Sequence, residues 1–348
     1  MTNTLPEILQ FTTDSGIRIY RIPCQVFPKL VGFVYLVLGL DRPILVDTGS
    51  GEEDSLPQIL LGIDRVRHDF AEPIGVEDIG TIILTHGHID HIGGCAELLP
   101  RIQGDAEVMV HRFDARAVTH YDARAVMTNH LFGRFLRSTG LADDYVDEVI
   151  ERFGFLPGRI RSISEVTPLD DGSTSPIDGL EIIHTPGHSP GHVCLRIEDY
   201  LLSGDHVLAR TLSQPWPESI APHTGLWHYL DSLDRVEDIC RRMHVSKILA
   251  GHEEVITDPC HRIAAIKKNQ HRRFDRVVQI LRESSEPMDL TQIVRRMYLT
   301  PEGTRNLLAL TDIGARVEYL WQQDRICPAN LEEIAASSEP VYRYVATG

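Results

Sequence analysis

The apolar positions of this chain repeat with two periods, and the period switches in blocks. Residues 17–22, Ile-Arg-Ile-Tyr-Arg-Ile, alternate as a half-buried strand does. Residues 31–40 are an apolar run, and residues 43–47 are a shorter one that ends at Asp-Thr-Gly-Ser. Helical spacing predicts a helix over 53–68. The run Thr-Ile-Ile-Leu at 81–84 then reads as a buried strand leading straight into THGHIDHIGG. A helix over 93–100 and a strand at 108–110 follow. Residues 112–153 change character, with Ala, Arg and Leu at helical spacing and a break near Gly140, which reads as a helical insertion.

Strands are expected again over 160–168, 180–183, 192–197 and 200–203. Next come a Pro- and Trp-rich loop (213–225), a helix over 227–243 and a strand at 247–250. Beyond His252 helix formers dominate. Helices are expected over 259–283, 290–298 and 304–323, with a terminal strand at 341–345, as in a small winged-helix-like module. Two batches of strands with helices between and around them predict an α/β fold, an αββα sandwich of two sheets packed face to face. The expected division is a domain over 1–260 and a smaller helical one over 261–348.

Composition limits the function classes. The chain has 348 residues, 42% hydrophobic and 24% charged, enough for a sizeable core and inconsistent with global disorder. Its 50 acidic against 34 basic residues give a formal charge of −16. Such a surface repels phosphate backbones over a screening length of roughly 10 Å, which disfavours general nucleic-acid binding. The six cysteines are scattered without a CxxC pair, as expected of free thiols in a reducing compartment. No basic segment followed by an apolar one opens the chain, and the longest apolar run is about half a membrane span. A soluble, cytoplasmic protein without membrane contact is expected.

The 17 histidines alter this ordinary picture, because imidazole is both the commonest metal ligand and the usual acid–base group near neutral pH. They concentrate where predicted strands end in turns. Asp47 lies in VDTGS, His86, His88, Asp90 and His91 in THGHIDHIGG, and His188 in HTPGHSPGH. Asp205 lies in SGD and His252 in AGH. Strand ends let a rigid scaffold aim side chains into one cleft. Imidazole with carboxylate suits Zn(II), Mn(II) or Fe(II). His184 and His192 read as structural or supporting, and His111, His120 and His130 as surface or satisfied core histidines.

The motif HxHxDH, followed in order by TPGHSPGH, SGD and GH, resembles the metallo-β-lactamase-fold hydrolases over residues 15–260. The resemblance implies His86, His88 and His188 on one metal, Asp90, His91 and His252 on a second, and Asp205 bridging both. Asp47 would orient a ligand histidine from behind. His88 stands where flavodiiron reductases carry Glu, and Asp205 where familiar β-lactamases carry Cys. The set is therefore closest to glyoxalase II, lactonase, thioesterase and nuclease members.

Two divalent cations, zinc with manganese or iron as alternatives, would lower the pKa of a bridging water and make it a nucleophilic hydroxide. Asp90 could also shuttle a proton to the leaving group. The expected reaction is cleavage of an ester, thioester or lactone of a small metabolite, a coenzyme A thioester included. The alternatives are a phosphodiesterase or ribonuclease and a nucleic-acid-binding regulator with a structural metal. The cleft is expected to be bordered by 112–153 and 213–228. Trp216, His223, Trp227, His228 and Tyr229 are candidate substrate contacts, and packing of the loop is the simpler expectation for Trp227. The stripe Arg262, Lys267, Lys268, Arg272, Arg273 and Arg276 is either a solvated helix face or an anion clamp. The tail resembles the winged-helix appendage of β-lactamase-like endoribonucleases and of some thioesterases. A homo-oligomer is compatible with all of this.

Overall fold

The computed structural model of the protein describes residues 5–52, 54–170, 177–298 and 304–348. Among these, strands β1 (Leu9–Thr12), β2 (Arg18–Phe27), β3 (Leu30–Leu38) and β4 (Ile44–Val46) pair antiparallel in chain order. Helix α1 (Ser55–Asp69) leads to β5 (Thr81–Leu84). The short helices α2 (Ile89–Ile92) and α3 (Cys95–Leu98) lead to β6 (Glu107–His111). Helices α4 (Ala115–Thr119), α5 (Tyr121–Ser138) and α6 (Asp143–Phe153) lead to β7 (Thr167–Leu169). From β5 to β7 each strand joins its predecessor in parallel, completing one sheet in the order β1 to β7. All four residues of β5 are buried, as its unbroken apolar run requires of a strand covered on both faces.

The second sheet contains β8 (Glu181–His184), β9 (Val193–Ile197), β10 (Tyr200–Gly204) and, after α7 (Leu226–Arg242), β11 (Lys247–Ala250). β10 and β11 are parallel. The two sheets face each other across a dry layer that joins Ile19, Tyr35, Val46 and Ile83 of the first to Val193, Leu195, Leu202 and Leu249 of the second. Each Ile or Leu withdrawn from water there contributes about 1.5–3 kcal/mol. Helix α1 covers the outer face of the first sheet. The outer face of the second is covered by α7 and by the helices that follow. This is the αββα sandwich.

The chain then enters α8 (Pro259–Arg282), started by Pro259 and by Asp258, whose carboxylate accepts from His261 N at 3.0 Å. α9 (Leu290–Met297) opens with a reciprocal cap between Asp289 and Gln292. α10 (Thr304–Gln322), β12 (Ile326–Pro328), α11 (Leu331–Ala336) and β13 (Tyr344–Ala346) complete the order, with β12 and β13 antiparallel. Some details differ from expectation: β1 was not foreseen, and the terminal strand is confined to Tyr344–Ala346. The strand read over 160–168 shrinks to β7, and a six-residue helix, α11, occupies the connection between the last two strands. The apolar cluster under α7 runs without a break into α8, α9 and α10, and it also takes in Phe132, Phe135 and Leu136 of α5. Among the described residues no helix is long and apolar enough to cross a membrane.

Candidate metal centre

The chemistry-bearing residues all follow the carboxyl ends of strands, the end at which open α/β sheets bind their ligands. Asp47 follows β4, the THGHIDH turn follows β5, and His188 lies in the β8–β9 turn. Asp205 follows β10 and His252 follows β11. The facing of the two sheets turns four of these five separate points into two adjoining groups, with Asp47 behind them. His86, His88 and His188 form one, and Asp90, His91, Asp205 and His252 the other, with ligand-type atoms inside each group within 4.8 Å of one another.

Hydrogen bonds behind the rings decide which nitrogen each histidine presents. Asp47 accepts from Thr85 N at 2.8 Å, from Thr85 Oγ1 at 2.9 Å and from His91 Nδ1 at 2.8 Å. Because a carboxylate only accepts, Nδ1 of His91 carries a proton, and Nε2 is the nitrogen left facing the other residues of its group. The hydroxyl proton of Thr85 is spent on Asp47, so His86 Nδ1, 3.0 Å from Oγ1, is the donor there. His252 Nδ1 faces the carbonyl of Val31 at 2.9 Å. His188 Nδ1 faces the carbonyl of Gln214 at 3.2 Å and Ser213 Oγ at 3.0 Å. Four imidazoles thus offer Nε2.

The Nε2 atoms of His86, His91 and His188, and Oδ1 of Asp205, are buried without a hydrogen-bond partner. Stranding such atoms is expensive, so their convergence fits a cation that would accept their lone pairs. Asp205 reaches both groups. Its Oδ1 is 3.5 Å from His91 Nε2, while its Oδ2 is 3.7 Å from His188 Nε2 and 3.6 Å from His252 Nε2. Asp90 Oδ2 lies 3.2 Å from His252 Nε2.

The electrostatics of the two groups differ. Burial and the neighbouring imidazoles hold His86 well below its ordinary pKa, and burial with His188 brings His88 down to about 3. That group consists of neutral nitrogen donors. In the other, burial opposes charge on His252 and His91, but the carboxylates outweigh it. Asp205 and Asp90 push His252 up to about 9, and Asp205, Asp47 and Asp90 hold His91 well above the usual range.

One supporting residue, Asp114, was not legible in the sequence. Asp114 is buried, and its Oδ2 accepts from Gly87 N at 2.8 Å and from Ser189 Oγ at 2.6 Å, joining the turn of His86 and His88 to the turn of His188. His192 Nε2 accepts from the backbone N–H of Asp205 at 3.1 Å, a supporting position as expected. His184 bonds the carbonyl of Pro190 at 2.9 Å and stacks on His111.

The candidate substrate contacts separate. His223 is exposed, adopts a left-handed backbone (φ 63°) and lies parallel to the ring of Phe113 at 4.9 Å. Tyr229 is fully buried, with its hydroxyl on the carbonyl of His206 at 3.0 Å, so in this arrangement it has no face for a substrate. Trp227 is 52% exposed rather than packed, because its neighbours Leu226 and Tyr229 take the inward face of α7. Trp216 is the aromatic that packs the loop, against Phe132 and Phe155.

Comparisons with known proteins agree with this architecture. The family model described as "Metallo-beta-lactamase superfamily" matches residues 28–252. A probable metallo-hydrolase of Bacillus subtilis, YqjP, is 27% identical over 90% of this chain and 95% of its own length. The human acyl-coenzyme A thioesterase MBLAC2 is 28% identical over 63% of this chain and 72% of its own. A metallo-beta-lactamase family protein of Thermus thermophilus, TTHA1429, superposes with a TM-score of 0.73 at 23% identity. It covers 94% of this chain and 98% of its own, so the fold is shared over most of the chain. The chain belongs to the metallo-beta-lactamase superfamily and is a hydrolase of that superfamily, in which divalent metals are bound.

Proposed function

We propose that this protein hydrolyses an ester, thioester or lactone of a small metabolite with two divalent cations, zinc first among them, and that an acyl-coenzyme A thioester is the substrate class to test first. The observation that carries this reading is the pair of adjoining ligand groups with Asp205 reaching into both. His86, His88 and His188 would hold one ion and Asp90, His91 and His252 the other. These residues would hold ions whose chemistry, when bound, would be to activate a water and polarise the scissile carbonyl. Asp47 keeps His91 in the tautomer that presents Nε2, and Asp90, beside His252, is the carboxylate placed to pass a proton to the leaving group. His223 and the loop 213–228 are the candidate substrate contacts. The thioester assignment is supported by the relatives named acyl-coenzyme A thioesterase.

The runner-up, a phosphodiesterase or ribonuclease, leans on the basic stripe of α8. Half of that stripe is occupied internally. Arg262 donates to the carbonyls of Leu208 and Thr211, Lys267 pairs with Asp234 and Glu237, and Arg273 pairs with Asp312. Lys268, Arg272 and Arg276 remain as an exposed row on one helix face.

A turnover panel on the metal-loaded protein separates these readings. Acyl-coenzyme A thioesters and lactones are expected to turn over, and phosphodiesters and a β-lactam are not. Turnover confined to phosphodiesters would replace the proposal, and a salt-dependent RNA affinity would support that replacement. His86→Ala and Asp205→Ala are expected to lose metal and most hydrolysis. Undiminished turnover by metal-depleted protein would refute the mechanism.

A further inference from the structure

The segment 208–214 connects Asp205 to the groups that hold the back of His188, and it is tethered at three points, two by side chains from outside it and one by its own Gln214. Arg262, in the first turn of α8, donates Nε to the carbonyl of Leu208 at 2.6 Å and Nη2 to that of Thr211. Glu253, next to His252 and in a left-handed conformation (φ 65°), accepts from the backbone N–H groups of Arg210 and Thr211. The side-chain amide of Gln214 donates to the carbonyl of Leu308 at 3.1 Å and to Thr311 Oγ1 at 3.2 Å, both on α10. The main-chain carbonyl of the same Gln214 receives His188 Nδ1 at 3.2 Å. Just beyond, the backbone N–H of Glu218 donates to Glu318 of α10 at 2.6 Å.

A loop without regular structure has no ladder to hold its carbonyls in place. The carbonyl that sets the tautomer of His188 is therefore only as well placed as these tethers make it, and two of them come from helices beyond residue 252, where the family model ends. We propose that Gln214 is a positioning residue, its side chain anchored on α10 so that its carbonyl holds His188, and that through it and Arg262 the C-terminal helices determine how well the His86–His88–His188 group grips its cation. The proposal rests on the assignment of His188 as a ligand made above.

The test is a stepwise titration of the metal-free protein with Co(II), read by proton NMR of the imidazole N–H signals that the ion shifts. In Gln214→Ala the ion sensed by His188 is expected to bind about tenfold more weakly, with faster solvent exchange of that ring's N–H, a loss typical of residues behind a ligand. The ion sensed by His91 and His252 is expected to stay within about twofold, and so is the stability of the metal-free protein. Arg262→Met is expected to produce the same selective loss, and Arg262→Lys, which cannot bridge two carbonyls, to restore little of it. Equal affinities in wild type and both variants overturn the positioning role. A uniform loss at both ions that tracks a lowered unfolding temperature overturns it too, since that is mere destabilisation. Failure of wild-type protein to show any shifted His188 signal overturns instead the ligand assignment on which the proposal rests.

Discussion

Asp47 illustrates how much one buried carboxylate can organise. It ends β4 with a left-handed backbone (φ 63°), a conformation that aspartate tolerates better than most residues, and it accepts three hydrogen bonds. Asparagine has nearly the same shape but only one accepting oxygen, so its amide must face either Thr85 N–H or the paired donors of Thr85 and His91. Asp47→Asn is therefore expected to fold and to bind metal about 10–100-fold more weakly, measured by competition with a chelating dye. An affinity within twofold of wild type would remove the role given to Asp47. This residue was visible in the sequence because it ends an apolar run. Asp114 was not, because its partners Gly87 and Ser189 are 27 and 75 positions away and only the fold brings them within bonding distance.

At the scale of elements, the site depends on turns that approach one another closely. The two glycines closing THGHIDHIGG are required by contact rather than by backbone freedom. A Cβ on Gly93 would stand 1.9 Å from the carbonyl oxygen of Ser50, and one on Gly94 would stand 2.2 Å from that of Thr48. The DTGS turn after β4 therefore lies directly on the backbone around α2, which carries Asp90 and His91. Gly93→Ala must push these turns apart. It is expected to destabilise the protein by about 1–3 kcal/mol or more in urea unfolding and to weaken metal binding with it. Unchanged stability would mean that the turns can separate freely. Periodicity anticipated α7 well, but the expectations that Trp227 packs and that Tyr229 is a candidate for substrate contact came out reversed in exposure. Trp227 and Tyr229 are two residues apart, nearly opposite on a helix, so one is buried only if the other is exposed. The bulk of a tryptophan does not decide which.

On the scale of the whole molecule, the last three long helices are bound to the sandwich by packing and to one another by buried charge. Arg316 is fully buried on α10 and donates to both oxygens of Asp312 and to Gln270 of α8. Burial alone would raise the pKa of Asp312, but Arg316, with Arg273 and the Tyr298 hydroxyl, lowers it below the ordinary carboxylate range. A group whose folded pKa is depressed stabilises fully above its unfolded pKa of about 3.9, and that contribution is lost as pH falls toward the folded value. Asp312→Asn is thus expected to cost about 3–5 kcal/mol at pH 7, because it leaves Arg316 buried without its counter-charge. Denaturant midpoints should converge between variant and wild type as the solution is acidified below pH 4, and a constant difference down to pH 2 would contradict this account. Local order carried the periods of strands and helices, the strand-end placement of the histidines and the motif spacing, so the layered fold was readable directly and the seven candidate ligands followed from the family resemblance of those motifs. What the chain could not announce was which separated stretches meet. The ring orientations set by Asp47, Val31 and Gln214, the burial of Tyr229 and the tethering of the 208–214 segment by C-terminal helices all arise from contacts between residues far apart in sequence. Such contacts exist only once burial of two sheets against each other has paid their ordering entropy.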